Sequence, residues 1–176
     1  MDDTDRKVTT TADASDGDEP KRMSVICWSN DLDRVWPVMI LATTAAASGL
    51  EVDVFFTFWG LRVLQKNGKR VTGDNWMQKA ESLFDRGGNE HLKLSKLHFG
   101  GMGTSMIKML AKEHNVASVP ELMEMAIEAG VRLHPCQMTM HLYGLKPSDF
   151  VDGVQPTLGA ASFIDMAARS DIQLFI

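Results

Sequence analysis

The chain has 176 residues, 44% of them hydrophobic, with 18 Lys plus Arg against 23 Asp plus Glu and a formal net charge of −5. Such a chain supports one domain with a sizeable core, and mild acidity without a basic cluster argues against nucleic acid as its main partner. Two cysteines make no disulfide framework and suit a reducing compartment. The Asp-rich start has no apolar leader, and no apolar run reaches the roughly 18 residues of a membrane span. The expectation is a cytoplasmic protein, with peripheral membrane contact left open.

In chain order, residues 1–22 are polar, acidic and without an apolar face, and read as a disordered tail. The folded domain is expected over 23–176. Residues 23–28 form an apolar strand, and Ser29, Asn30 and Asp31 supply capping side chains for the helix that follows. Leu32, Val35, Trp36, Met39, Ile40 and Thr43 recur at three- and four-residue steps and predict the buried face of that helix. Pro37 lies in its first turns or kinks it, and Gly49 ends it. Residues 51–58 are a second strand, almost continuously apolar except for Asp53, as in a parallel strand covered on both faces.

A short helix is expected over 59–66, and then the pattern loosens. Residues 67–98 read as an insertion or lid, with one amphipathic helix marked by Trp76, Met77, Ala80, Leu83 and Phe84. That apolar stripe, unburied on a single subunit, points to a homo-oligomer contact. Gly100, Gly101 and Gly103 open a helix through His114 without the Lys-Ser/Thr ending of a phosphate loop, so a turn whose glycines let a lid cross the site edge is favoured. A helix over 120–129, a strand over 131–134 and a helix over 137–143 stopped by Gly144 follow. A helix over 157–169 and a strand over 172–176 close the chain. Alternating strands and helices give an α/β fold, a three-layer sandwich with a mainly parallel sheet flanked by helices.

Cys136 stands where the strand over 131–134 gives way to the next helix. Helix-end amides at such a junction favour a thiolate, and open α/β sheets carry their sites at this edge. A buried inert thiol is the competing reading. Residues two apart in a strand share a face, which aims His134 with Cys136 unless Pro135 spoils the alternation; a packed strand histidine is the alternative. Cys27 ends the first strand and reads as a small buried hydrophobe, with a relay role conceivable. The five histidines show no metal-ligand spacing with the cysteines, and no cofactor is expected. Met102, Met106, Met109, Met123, Met125, Met138 and Met140 read mainly as core filler.

Taken together, several segments resemble the DsrE/DsrF/DsrH-like sulfur-transfer family, in its branch with a mid-domain insertion. They are 29–33, the Phe-Phe-Thr-Phe-Trp-Gly-Leu run at 55–61, Gly-Gly-Met-Gly-Thr at 100–104, the block at 130–144, 151–154, and the closing 174–176. The resemblance runs from about Met23 to the C-terminus. It implies a parallel α/β sandwich, a homo-oligomer, and a cysteine at position 136 that carries sulfane sulfur as a persulfide for TusA-like or rhodanese-like partners. It adds nothing for His134 or Cys27. The leading expectation is thus a sulfur carrier or sulfurtransferase acting through Cys136; the alternative is a non-catalytic oligomeric scaffold with a redox-sensitive cysteine.

Overall fold

The computed structural model describes residues 20–67, 87–96 and 99–176. Its elements run β1 (Arg22–Cys27), α1 (Leu32–Ala47), β2 (Glu51–Phe56), a 3-10 helix (Phe58–Leu64), α2 (Met102–Glu113), α3 (Val119–Glu128), β3 (Arg132–Pro135), α4 (Gln137–Tyr143), α5 (Ala160–Ala167) and β4 (Ile172–Phe175). The four strands form one sheet in the order β3-β2-β1-β4, and every pairing is parallel. Helices flank this sheet, so the α/β architecture expected from the alternating pattern is the one observed.

Strand alternation assigns each residue to a layer. Met23, Val25, Cys27, Val52, Val54, Phe56 and Leu133 face α1 and α3 in the main core, where most are fully buried. Burying an aliphatic side chain of this size stabilises by about 1.5–3 kcal/mol relative to leaving it exposed. The other face carries Ser24, Ile26, Asp53, Phe55, Arg132 and His134, and α5 lies over its apolar part through Phe163. That face is polar toward the amino ends of the strands and apolar toward their carboxyl ends.

Local signals set most boundaries. Ser118 and Glu121 form a reciprocal capping box at the start of α3. The left-handed φ of 65° at Gly144 stops α4, a conformation glycine reaches without a side-chain penalty. Gly60 meets a different need: a Cβ there would lie 2.2 Å from the carbonyl oxygen of Cys27. Only a glycine lets the 3-10 helix press against the end of β1.

Four expectations change. Asp31 is the N-cap of α1 but makes no side-chain capping hydrogen bond, its carboxylate accepting instead from the Ser29 hydroxyl at 2.9 Å. The buried face of α1 is Leu32, Val35, Val38, Met39 and Ala42, whereas Ile40 is exposed. The stripe is rotated because the helix packs along its 35–38–42 side, and Trp36 lies at the margin with Nε1 donating to the Ala117 carbonyl at 2.9 Å. The last long helix starts at Ala160 rather than at 157. Residues 155–158 are instead spent on the outer edge of β3, where Gln155 N donates to Leu133 O and Leu158 N to Pro135 O. Finally, Met102, Met106, Met109, Met125 and Met138 are exposed rather than core. Helix α2 buries only Gly103 and Thr104, so its small-residue side packs and its methionine stripe faces out.

Gly100 and Gly101 both take left-handed φ at the entry to α2. The expected tail falls outside the described residues up to position 19, as do Trp76, Met77, Ala80, Leu83 and Phe84 of the expected insertion. Residues 87–96 return to the body: Leu92 is buried and Leu32 N donates to Lys93 O at 2.7 Å. No helix among the described residues is long and apolar enough to cross a membrane.

Candidate functional site

Helix α3 delivers the chain to β3 through Gly130, whose φ of 83° makes the turn. β3 pairs with β2 from Asp53↔Arg132 to Phe56↔Pro135. Cys136 extends the ladder by one bond, its N–H donating to Phe56 O at 2.9 Å, and pairs on its other side with Leu158. Its backbone, at φ −67° and ψ 119°, is then the N-cap of α4, and its carbonyl accepts the first helical bond from Met140 N at 2.9 Å. Of the first three amides of α4, that of Gln137 is taken by the Leu158 carbonyl at 3.0 Å. The Cys136 side chain itself makes no capping hydrogen bond to the helix.

The sulfur is nearly enclosed, at 3% exposure, in an apolar cluster with Phe55 and Phe163, whose rings stack at 4.6 Å with Ile26, Leu158 and Ala167 around them. Burial pushes the Cys136 thiol up. The nearby polar groups of Thr139, Thr57 and Met138 more than offset it, so the thiol lies below its ordinary value. Thr57 and Thr139 also meet each other, oxygen to oxygen, at 3.2 Å. The N–H of Phe58 donates to the Thr139 hydroxyl oxygen at 3.2 Å. Phe58 itself has a φ of 49°, rare for a bulky residue and costing about 1–3 kcal/mol, and its ring is half exposed. Strain of this kind persists only where neighbours hold it, and here the Thr139 hydroxyl is one such hold.

His134 does share its sheet face with Cys136, because β3 keeps its alternation through Pro135. Its ring is spent elsewhere: Nε2 lies 2.7 Å from Asp53 Oδ1. Asp53 also accepts from Arg132 Nε and Nη2, both at 2.7 Å, and Arg132 reaches Glu51 at 3.2 Å. Asp53 is thus no flaw in an apolar strand but the buried anion of a four-residue network. Cys27 faces the opposite way, into the core, with its S–H donating to the Ser29 carbonyl at 3.5 Å. Burial pushes its thiol up to about 12. With β2 lying between β1 and β3, and neighbouring strands about 4.8 Å apart, the two sulfurs are separated by the sheet itself and make no disulfide.

Thr57 and Thr139 escaped the sequence reading. The signal was present for Thr139, which sits three residues after the N-cap, the position whose amide and side chain face back toward the cap. Thr57 was hidden, since only the β2–β3 pairing brings it to Cys136. His91, His114 and His141 are exposed, and His98 falls outside the described residues. Among the described residues no three of His, Cys, Asp and Glu converge as a metal site.

The sequence pattern of the DsrE/DsrF/DrsH-like family matches residues 19–175. The chain belongs to that family. A DsrE-family relative, the sulfur carrier protein DsrE2 of Allochromatium vinosum, is 41% identical over 161 residues, covering 90% of this chain and 99% of its own. The uncharacterized protein YrkE of Bacillus subtilis is 36% identical over 159 residues, with the same coverage of 90% and 99%. A solved protein of unknown function from Methanobacterium thermoautotrophicum superposes with a TM-score of 0.50 at 13% identity, over 89% of this chain and 99% of its own, a likeness of fold.

Proposed function

We propose that this DsrE-family chain is a sulfur carrier that holds sulfane sulfur on Cys136 as a persulfide and yields it to the thiol of a partner protein. The observation that carries this reading is Cys136 itself, at the junction of β3 and α4 and enclosed by apolar side chains, with a thiol that burial pushes up but the neighbouring Thr139, Thr57 and Met138 bring below its ordinary value. A thiolate is the attacking form of sulfur, and its exchange rate depends on thiolate fraction and access. In loading, the Cys136 thiolate attacks the outer sulfur of a donor persulfide, the donor S–S bond breaks, and the donor leaves as a thiolate. In unloading, an acceptor thiolate takes the outer sulfur and Cys136 departs as a thiolate. Sulfur at the sulfane level passes through, so no external oxidant or reductant is consumed.

The name carried by the Allochromatium vinosum relative supports the same role, and TusA-like or rhodanese-like proteins are the partners the family suggests. The enclosing cluster keeps stray thiols from the persulfide. A partner entering from solvent passes the exposed side chains of Phe58, Trp59, Met138 and Leu142, which flank Thr57 or lie on the helix Cys136 caps. Within this reading His134 braces rather than reacts, tying β3 to β2 through Asp53 just before the reactive residue. Two cysteines without a disulfide suit a reducing compartment such as the cytoplasm. Exposed methionines on α2 suit a homo-oligomer.

Intact mass spectrometry after incubation with polysulfide is the test. One added sulfur, about 32 Da, is expected on wild-type and Cys27→Ser protein and none on Cys136→Ser. Uptake that survives Cys136→Ser and vanishes in Cys27→Ser reverses the assignment. A wild-type chain that takes up nothing leaves the scaffold reading in its place.

A further inference from the structure

Sulfur exchange needs a second sulfur in contact with Cys136 Sγ, so its rate depends on access as well as on thiolate fraction. Cys136 is 3% exposed, and its cover is Phe55, Phe163, Ile26, Leu158 and Ala167. Interiors packed as densely as organic crystals leave no void for an incoming atom the size of sulfur. Some part of this cover must therefore move before anything reaches Sγ.

Most of the cover is fixed. Phe55 lies on β2, bonded to β1 on one side and to β3 on the other. Ile26 lies on β1, bonded to β2 and β4. Leu158 is tied at both main-chain groups, its N–H to Pro135 O at 2.9 Å and its carbonyl to Gln137 N at 3.0 Å. Ala167 offers one methyl group at the pinned end of α5. There Gln173 Nε2 donates to the Ala167 carbonyl at 2.7 Å, and the Ser24 and Ser170 hydroxyl oxygens meet at 2.6 Å.

Phe163 differs. It stands in the first turn of α5, is 2% exposed, and is the one side chain this helix buries. Ala160, Ala161 and Ile164 beside it are exposed. The joint to Leu158 is the single residue Gly159, where an added Cβ would stand 4.0 Å from Gln137 Oε1, an ordinary contact. The amino end of α5 is thus the loosely packed end, and it holds to the sheet through the stack of Phe163 on Phe55, ring centroids 4.6 Å apart and planes 13° from parallel.

Building on the carrier reading above, we propose that Phe163 is the gate to Cys136: its ring, carried on α5, leaves Phe55 before another sulfur reaches Sγ and closes over that sulfur between transfers. The closed gate shields a persulfide from stray thiols. A latch of one aromatic pair is weak enough to open without unfolding the sheet beneath it.

Alkylation of Cys136 by iodoacetamide, followed against pH to its plateau, tests the gate without any sulfur loading. The plateau is the rate of the thiolate, so a shifted thiol pKa moves the midpoint while the plateau reports access. In wild type it is expected to lie at least about tenfold below that of the guanidinium-unfolded chain. Phe163→Ala is expected to raise it about tenfold and Phe163→Leu about threefold, as full or partial loss of an aromatic stack implies. Ile164→Ala, on the exposed side of the same turn, is expected to keep the wild-type plateau. Cys27, on the other face of the sheet, is the internal control, and its labelling stays at the wild-type rate if the gate alone has opened. A wild-type plateau equal to that of the unfolded chain overturns the gate. So does an unchanged plateau in folded Phe163→Ala or Phe163→Leu protein, or a parallel rise at Cys27, which marks general loosening. Sulfur uptake from polysulfide is read separately: Phe163-dependent alkylation in a chain that takes up no sulfur keeps the gate and overturns the carrier reading.

Discussion

Cys27 and Cys136 lie at the same carboxyl edge of one parallel sheet, one at the end of β1 and the other one residue beyond β3, yet their chemistries diverge. Strand alternation turns Cys27 into the layer of α1 and α3, where its surroundings are aliphatic and its thiol is driven up to about 12. Cys136 lies on the other face and beyond its strand, where a helix begins; burial pushes its thiol up, and the neighbouring Thr139, Thr57 and Met138 more than offset that. Both sulfurs are buried, so burial alone does not make a cysteine inert. The difference is whether polar donors are buried with it. After Cys27 the next amide is taken by the backbone, Trp28 N donating to the Ile176 carbonyl at 3.2 Å; at a strand-to-helix junction the first helical amides are not all consumed by the ladder.

The contrast extends to the two faces of the sheet. Toward α1 and α3 it is apolar from end to end. The other face holds Asp53, 4% exposed, with Arg132 and His134 closing on it. Lone buried carboxylates are costly, but this one is met by a bidentate guanidinium and an imidazole, which offset much of that cost. The network ties β2 to β3 upstream of Cys136.

The sharpest way to break the comparison is selective alkylation of the native protein near neutral pH. Cys136 is expected to react at least about 10³-fold faster than Cys27, from the thiolate fractions alone. Peptide mapping after iodoacetamide treatment reads the ratio, and comparable labelling of both in folded protein would erase the distinction between the faces. Acid titration probes the polar face with a smaller effect. Burial works against the charged form of Asp53, but hydrogen bonds and charge from Arg132 and His134 hold it lower, at about 2 against an ordinary 3.8. A carboxyl lowered on folding adds stability above its unfolded value. That contribution, about 2 kcal/mol, is therefore lost as pH falls from about 4 through 2. Urea unfolding along this range is expected to show the loss in wild type and a flatter profile in Asp53→Asn protein. Smallest is the effect of Cys27→Ala, a packing loss of about 1 kcal/mol in thermal or urea unfolding. The Cys136 alkylation rate is expected to stay unchanged, because the sheet separates the two sites.

Much of this protein was legible before any coordinates. The α/β class, the parallel sense of the strands, the span of α4 from Gln137 to its stop at Gly144 and the junction position of Cys136 all follow from local patterns: periodicity of apolar residues and glycines placed where φ must be positive. These signals act within a few residues, so one chain read linearly contains them. What surrounds the cysteine was decided by tertiary structure. Thr57 meets Thr139 across 82 positions of sequence because β2 and β3 pair in one register, and Asp53 finds His134 by the same pairing. The rotation of α1, the use of residues 155–158 to cover the edge of β3, and the outward methionines of α2 likewise depend on which surfaces meet. The sequence by itself determined where the Cys136 thiol would stand, because backbone direction at a strand-to-helix junction is local. Only the folded sheet decided which threonines stand beside it and which face it shares, because those neighbours exist only once distant strands have chosen their register.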